Sequence, residues 1–451
     1  MSDKVTAPLS EAFKTPIRTV ILALNSVSDV ASIASQPGIH RLNTSTSLSA
    51  AHTISFEASI RCIPVMFIRS PFYIVLTIIS DMITIKVRDQ AMSEASPPTI
   101  PEGLLLKTNG GSVLKIGYKA SAEQFSPTAL LQFACLAEQL EFESVFISDH
   151  FQPWKHTDGH APYSFAWMGA VGAKTKRIQI GTSVLTPTFR YHPSVVAQAI
   201  GTLGAMFPGR VIVGVGTGES LNEVPAIGIE WPPFKERFDR LSEAVVLMKR
   251  LWREDRVTFE GRYYQTRAAT IYDRPNEPVP IYIAAAGPTA AFLAGAQAAG
   301  FICTSGKAPE LYRATLLPKV LEGLSSSNRA ENNIDRMIEV KLSFDMELET
   351  AKKDTRYWAA LALSPEEKTG VKDALEMERL ANALPLERAA SRWIVSSDPD
   401  DVVAKIRPYV DLGFNHLVFH APGPDQERFL RQFAKNVMPK LRSAFASVGN
   451  A

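Results

Sequence analysis

Three polar clusters, each directly behind a short strand-like run, hold the residues of this chain best suited to acid–base chemistry. Asp149-His150 follows Ser144-Val-Phe-Ile-Ser148, Thr217-Gly218-Glu219 follows Val211-Ile-Val-Gly-Val215, and Thr304-Ser-Gly-Lys307 follows Gly300-Phe-Ile-Cys303. Histidine titrates near neutral pH and suits proton transfer, often with a carboxylate nearby. Lysine supplies a point charge for an anion. The set therefore suits proton transfer on an anionic substrate. Its members can meet only if their strands end at one face. A (β/α)8 barrel does this, because its catalytic residues come from the C-terminal ends of several strands.

Each cluster also has a plainer reading. Gly214-Val-Gly216-Thr-Gly218 is half of a dinucleotide fingerprint, but the full spacing is missing and no helix is expected directly after it. A glycine-rich turn is the default, with Glu219 placed where a ligand could come close. A histidine after a strand is commonly a structural hydrogen-bonder, but the adjacent Asp149 and nearby Trp154 favour function. Lys307, Lys368 and Arg392 are solvated charges if taken singly, and a phosphate clamp if the fold brings them together. His156 and His160 stand four apart around Asp158-Gly159, which reads as a loop, so no metal site is expected.

The elements that must position these groups alternate from residue 114 onward. Strands are expected at 115–118, 144–148, 178–183, 211–215, 281–284, 301–304, 337–342 and 416–420. They are short and apolar on both faces, as strands of a helix-covered parallel sheet are. Phe234, Phe238, Leu241, Val245, Met248 and Trp252 mark one face of a helix. Pro127 suits the first turn of another. Eight strands with helical connections imply a barrel, with a doubly wound sheet as rival. Trp393-Ile-Val-Ser396 reads as a lead-in to a helix capped at Ser397-Asp398-Pro399, and 350–392 as a long helical insertion.

The chain has 451 residues, 46% hydrophobic and 21% charged, with a formal net charge of +2. This composition fits a globular fold and gives no case for nucleic acid or an anionic membrane surface. Cys62, Cys135 and Cys303 show neither metal spacing nor a disulfide framework, as in a reducing compartment. Residues 1–110 lack the alternating rhythm and are expected to be a disordered or loosely packed extension, with 111–445 as the catalytic domain. The apolar run at 72–79 is far shorter than a membrane-spanning helix. Residues 1–70 carry six Lys/Arg and four Asp/Glu with much Ser and Thr, a faint transit-peptide character. Met92 is a candidate start; a mature N-terminus found there by mass measurement would make the residues before it an artefact of an upstream start.

From Leu114 to about Arg442 the chain resembles the F420-dependent glucose-6-phosphate dehydrogenases, which are luciferase-like TIM barrels. The resemblance rests on Lys115-Ile-Gly-Tyr-Lys-Ala-Ser-Ala-Glu-Gln-Phe125, Ser148-Asp-His-Phe-Gln-Pro-Trp154 and Gly181-Thr-Ser-Val-Leu-Thr-Pro-Thr-Phe-Arg-Tyr191. Further matches are Gly214-Val-Gly-Thr-Gly-Glu219, Phe301-Ile-Cys-Thr-Ser-Gly-Lys307 and Asn415-His-Leu-Val-Phe-His-Ala-Pro-Gly423. It implies a cytoplasmic homodimer that oxidises glucose 6-phosphate to 6-phosphogluconolactone with coenzyme F420.

By the same resemblance, His150, Glu219 and Trp154 are the catalytic residues. Asp149, Thr186, Thr217, Gly218 and Asn222 contact the cofactor, with Ala286, Gly287, Thr289 and Ala290 at its phosphate-bearing tail. Thr304, Lys307, Lys368 and Arg392 hold the sugar phosphate. Hydride loss from C1 must accompany proton loss from its hydroxyl, and the deazaflavin ring must gain a proton or have its developing charge stabilised, so two titratable groups are needed. His150 and Glu219 are that pair, with the division of roles open. Two departures stand out: Ala286 replaces a glycine of the family turn, and the loop from Asn222 to Trp231 is one residue shorter. Alternatives are an F420-dependent dehydrogenase of another alcohol, an FMN-dependent luciferase-like monooxygenase, or a non-catalytic deazaflavin-binding module.

Overall fold

The structure, a computed structural model, describes residues 114–446 except 365, 369 and 372, together with four strands between residues 41 and 89. The chain divides into two compact units, Met1–Glu102 and Gly103–Ala451. In the first, β1 (Arg41–Thr44), β2 (Ala51–Glu57), β3 (Phe72–Ile79) and β4 (Met82–Asp89) form an antiparallel sheet in the order β1-β2-β4-β3. The apolar run at 72–79 is its β3. The signal for β4 was strict alternation, with Ile83, Ile85 and Val87 between Thr84, Lys86 and Arg88. The expected loose packing of 1–110 otherwise lies outside the described residues.

In the second unit all eight expected strands form. They are β5 (Lys115–Ala120), β6 (Ser144–Ile147), β7 (Gln179–Thr182) and β8 (Val211–Val215), and, after the hairpin β9 (Val257–Glu260) and β10 (Gln265–Ala269), β11 (Ile281–Ala284) and β12 (Gly300–Thr304). Next come β13 (Asp335–Phe344), β14 (Ile394–Ser396) and β15 (His416–His420). Parallel pairing runs β5-β6-β7-β8-β11-β12-β13-β15 and returns from β15 to β5, so the ring is closed. The doubly wound alternative is thereby excluded. The lead-in segment is β14, which pairs with the far end of β13 outside the ring.

Helices cover the barrel as the patterns predict. Pro127–Gln139 starts with Ser126 accepting from the Ala129 amide, and Phe234–Arg253 buries Leu241, Val245, Met248 and Trp252. Pro399–Asp411 is capped by Asp398. The insertion between β13 and β14 is helical, comprising Leu348–Asp354, Thr355–Ala362, Ala374–Asn382 and Leu386–Ala390.

The barrel interior is layered. At its N-terminal end the Asp335 carboxylate takes Lys115 Nζ and His416 Nδ1, each at 3.0 Å, and the Tyr282 hydroxyl, while His416 Nε2 meets Ser144 Oγ at 2.7 Å. Above it lies an apolar layer of Phe146, Ile212, Tyr282, Ile302, Met337 and Val418. Phe146 fills the centre because Gly181 leaves it room; a Cβ there would come within 2.4 Å of the ring. A third layer, Lys119, Glu339, Lys341 and His420, is buried charge below the C-terminal mouth. The middle layer seals the barrel, so polar ligands can approach only from that mouth.

Candidate active site

The loop after β6 is fixed by what Asp149 accepts. Its buried carboxylate takes the Ser164 hydroxyl at 2.6 Å, Arg190 Nη2 at 2.9 Å and the Tyr191 hydroxyl at 3.0 Å. Arg190 also donates to the Asp149 carbonyl at 2.6 Å and through Nε to Glu223 at 3.1 Å. Of the roughly four lone-pair sites of a carboxylate, three on Asp149 are therefore taken by protein. Glu223 belongs to the helix Ser220–Ile227, and so does Asn222, whose Oδ1 accepts from the Phe151 and Gln152 amides at 2.9 and 3.1 Å. This helix opens directly behind the glycine run, contrary to expectation. It is only eight residues long and contains Pro225, so it lacks a readable periodicity.

His150 follows Asp149 and points back at Glu123, behind β5. Its Nδ1 lies 2.7 Å from Glu123 Oε1, close enough for an ion pair though not aligned as a hydrogen bond. Burial alone would discharge both groups. The attraction between them wins: Glu123 is held down to about 2, and the charges of Glu123 and then Glu219 push His150 above the usual histidine range. Glu219 stands at the start of Ser220–Ile227, exposed, with Asn222 Nδ2 at 3.5 Å. Gly218 before it has φ +82°, and a Cβ there would meet Thr186 at 2.9 Å and Trp231 at 3.2 Å. Only glycine fits. Thr186 is buried and Thr217 half-buried beside it.

The scattered cations meet. Lys368, from the insertion, lies 4.7 Å over the Trp154 ring. Burial lowers its pKa, Glu219 partly opposes this, and the Lys307 and Arg392 charges add to the lowering. Lys307 is likewise lowered by burial and by Arg392. Arg392 Nη1 donates to the Gly306 carbonyl at 2.9 Å, while its buried Nε has no partner among the described residues. Neither lysine has a carboxylate within ion-pair distance there. Thr304 holds the loop from behind, its carbonyl accepting the Tyr312 hydroxyl at 2.7 Å, which in turn accepts the Lys307 amide at 3.1 Å. The Trp154 indole N–H is also buried without a partner among the described residues.

After β11, Gly287 heads the helix Pro288–Gln297 with no side chain capping it, and a Cβ at Gly287 would meet nothing within 4 Å. Ala286 and Thr289 are exposed and Ala290 is buried. A helix N-terminus with open space above its amides can take an anionic group. The added methyl belongs to Ala286, an exposed residue.

Glu123, Arg190 and Glu223 were missed by the sequence reading. Glu123 had the same signal as His150, a titratable residue just behind a strand. Arg190 and Glu223 had none, since their meaning lies in pairing across 41 and 33 residues.

The chain is a closed parallel barrel with its titratable residues gathered behind the strand ends, and it belongs to the luciferase-like monooxygenase family, whose model matches residues 110–416. Within it the chain is similar to the F420-dependent glucose-6-phosphate dehydrogenase of Nakamurella multipartita, 62% identical over 330 residues, 73% of this chain and 97% of that one. The enzyme of that name from Intrasporangium calvum is also 62% identical, over 332 residues, 73% of this chain and 99% of its own. Among solved structures, an F420-dependent secondary alcohol dehydrogenase in complex with an F420-acetone adduct superposes with a TM-score of 0.69 at 34% identity, covering 73% of this chain and 99% of that one.

Two outcomes test this geometry. Arg190→Ala strands two buried carboxylates and should lower unfolding free energy by about 3–5 kcal/mol in chemical denaturation. A loss below about 1 kcal/mol would show that Asp149 and Glu223 do not depend on it. The His150 pKa is raised, so the stabilisation from its pair with Glu123 is present at low pH and lost as pH rises through that raised pKa; at the acid extreme it is lost as Glu123 protonates near pH 2. Glu123→Gln removes the charge, and the His150 ring should then titrate at lower pH than in wild type by NMR.

Proposed function

We propose that the protein oxidises D-glucose 6-phosphate to 6-phospho-D-glucono-1,5-lactone with coenzyme F420 as hydride acceptor. The observation that carries this reading is the meeting of Lys307, Lys368 and Arg392, none with a carboxylate in ion-pair distance among the described residues, beside His150 and Glu219. Gathering like charges is costly unless an anion joins them, and a sugar phosphate supplies one. A neutral alcohol gives no reason for three cations, which disfavours the secondary-alcohol reading despite the 34% identity.

The residues fit the cofactor. The open amides at Gly287, with Ala286, Thr289 and Ala290, suit its phosphate-bearing tail. Thr217 and Gly218, with Thr186, Asn222 and Asp149 behind them, are the proposed contacts of its ring. When bound, F420 supplies the hydride-accepting chemistry.

Thr304, Lys307, Lys368 and Arg392 hold the phosphate and so fix where C1 of the sugar lies. As C1 gives up hydride, its hydroxyl must give up a proton. Glu123 keeps His150 charged beside it, and His150 serves one of the two proton positions. Glu219 serves the second proton position. Trp154, braced by Lys368, packs over the centre and excludes water.

A homodimer is the assembly proposed. Phe151, Val195, Met206 and Phe234, each about half exposed, offer apolar surface to a second copy. A cytoplasmic setting accords with the free Cys135 and Cys303. Among the described residues no helix is long and apolar enough to cross a membrane.

Anaerobic incubation with oxidised F420 and glucose 6-phosphate should bleach the cofactor's visible absorbance, and parallel runs with NADP or FMN should not. Lys368→Ala should raise the KM for glucose 6-phosphate by about 10–100-fold, the worth of one charged hydrogen bond. Binding of F420 without bleaching would overturn the substrate, and turnover with FMN and oxygen would favour the monooxygenase reading.

A further inference from the structure

Below the mouth lies a layer of buried charge that the groups assigned above do not use. Lys341 sits on β13 two residues beyond Glu339, so both side chains project to the same face, the barrel interior. Its neighbour across the pairing with β15 is His420. Its own amide donates to Ser305 Oγ at 2.9 Å, two residues before Lys307. Lys341 thus stands at the top of the interior, and the charges of Arg392 and Lys307 both bear on it.

The layer does not balance. Glu339 lies 3.5 Å from Lys119 Nζ, 3.7 Å from Lys341 Nζ and 3.6 Å from His420 Nδ1. His420 is buried edge-on against Trp358 and Trp393, and burial holds its pKa low, so it adds no charge at neutral pH. Burial lowers the Lys341 pKa and Glu339 opposes this; with both lysines charged, two cations share one carboxylate, a net of +1. Counting Glu123 and His150 as a further neutral pair leaves that surplus unchanged. Lys119 has a second anchor in the Ser183 carbonyl. Lys341 has none: Glu339 is beyond hydrogen-bond distance, and its ammonium makes no hydrogen bond among the described residues. The Lys341 side chain is 6% exposed, and its ammonium has donors to spare for a ligand.

We infer that Lys341 is a further anion-binding residue of this site, reaching the substrate phosphate from the barrel floor while Lys307, Lys368 and Arg392 hold it from the rim. The inference rests on the sugar-phosphate reading above. Glu339 is then a positioning residue, which keeps two like charges in the interior and leaves Lys341 with donors to spare.

The test uses the full chain and inorganic phosphate as probe, titrated calorimetrically, alongside the KM for glucose 6-phosphate and the Kd for F420. Lys341→Met should weaken phosphate binding and raise KM at least tenfold, with F420 affinity within twofold of wild type. Lys341→Arg should recover most of the phosphate affinity. Phosphate affinity and KM within twofold of wild type in Lys341→Met would overturn the inference, and so would a wild type that binds no phosphate. Parallel loss of F420 and phosphate binding in both variants would make Lys341 structural and overturn it too. A wild type that binds phosphate through Lys341 yet leaves the sugar phosphate unoxidised would uphold this inference and remove the proposed reaction.

Discussion

The mouth of this barrel depends on one buried guanidinium. Arg190 lies between Asp149 and Glu223, two carboxylates on different elements, and both are almost wholly removed from water. Without it each would carry a desolvated charge, and each would repel the other. With it the loop after β6 and the short helix after β8 become one piece. Asn222 then joins them again by accepting the two amides that follow His150. The positions of His150 and Glu219 follow from this joint, since one is adjacent to Asp149 and the other begins the helix that carries Glu223. The planar fork of arginine is what allows this, because it can serve two acceptors in fixed directions.

The apolar layer at mid-barrel gives these charges their strength. Phe146, Met337 and Val418, with their neighbours, keep the Asp335 network apart from the Glu339 network. The upper network therefore sits against hydrocarbon and is itself buried, where fields are weakly screened. This is why burial, which disfavours each charge separately, is outweighed at Glu123 and His150 by the charge of the other. The same confinement makes an unbalanced lysine significant here, although it would mean little on the surface.

Much of this was legible in the sequence because strands buried on both faces read as short apolar runs, and all eight were found that way. Caps at Ser126 and Asp398 were legible because their chemistry is local. Asp149-His150, Glu219 and Lys307 were legible because they stand directly behind strands. The resemblance, and not spacing, supplied Lys368 and Arg392, and the structure shows why: they reach the mouth from an insertion whose path the sequence does not reveal. Arg190 was invisible because an ion pair across 41 residues leaves no local mark. Glu339 and Lys341 did leave one, charges at alternate positions between Ile338, Val340 and Leu342, which puts both on one face of the strand. The helix Ser220–Ile227 was lost to its brevity and its proline.

The insertion between β13 and β14 has a consequence for how such a protein diverges. Lys368 and the approach to Arg392 belong to this one stretch of chain, whereas His150, Glu219 and the Arg190 joint belong to loops behind β6, β7 and β8. Under the proposed function, two of the cations that meet the anion are therefore inherited apart from the proton-transfer residues, while Thr304 and Lys307 stay with the barrel. A descendant could loosen its hold on phosphate by rewriting the insertion, with the residues behind β6 and β8 passed on intact.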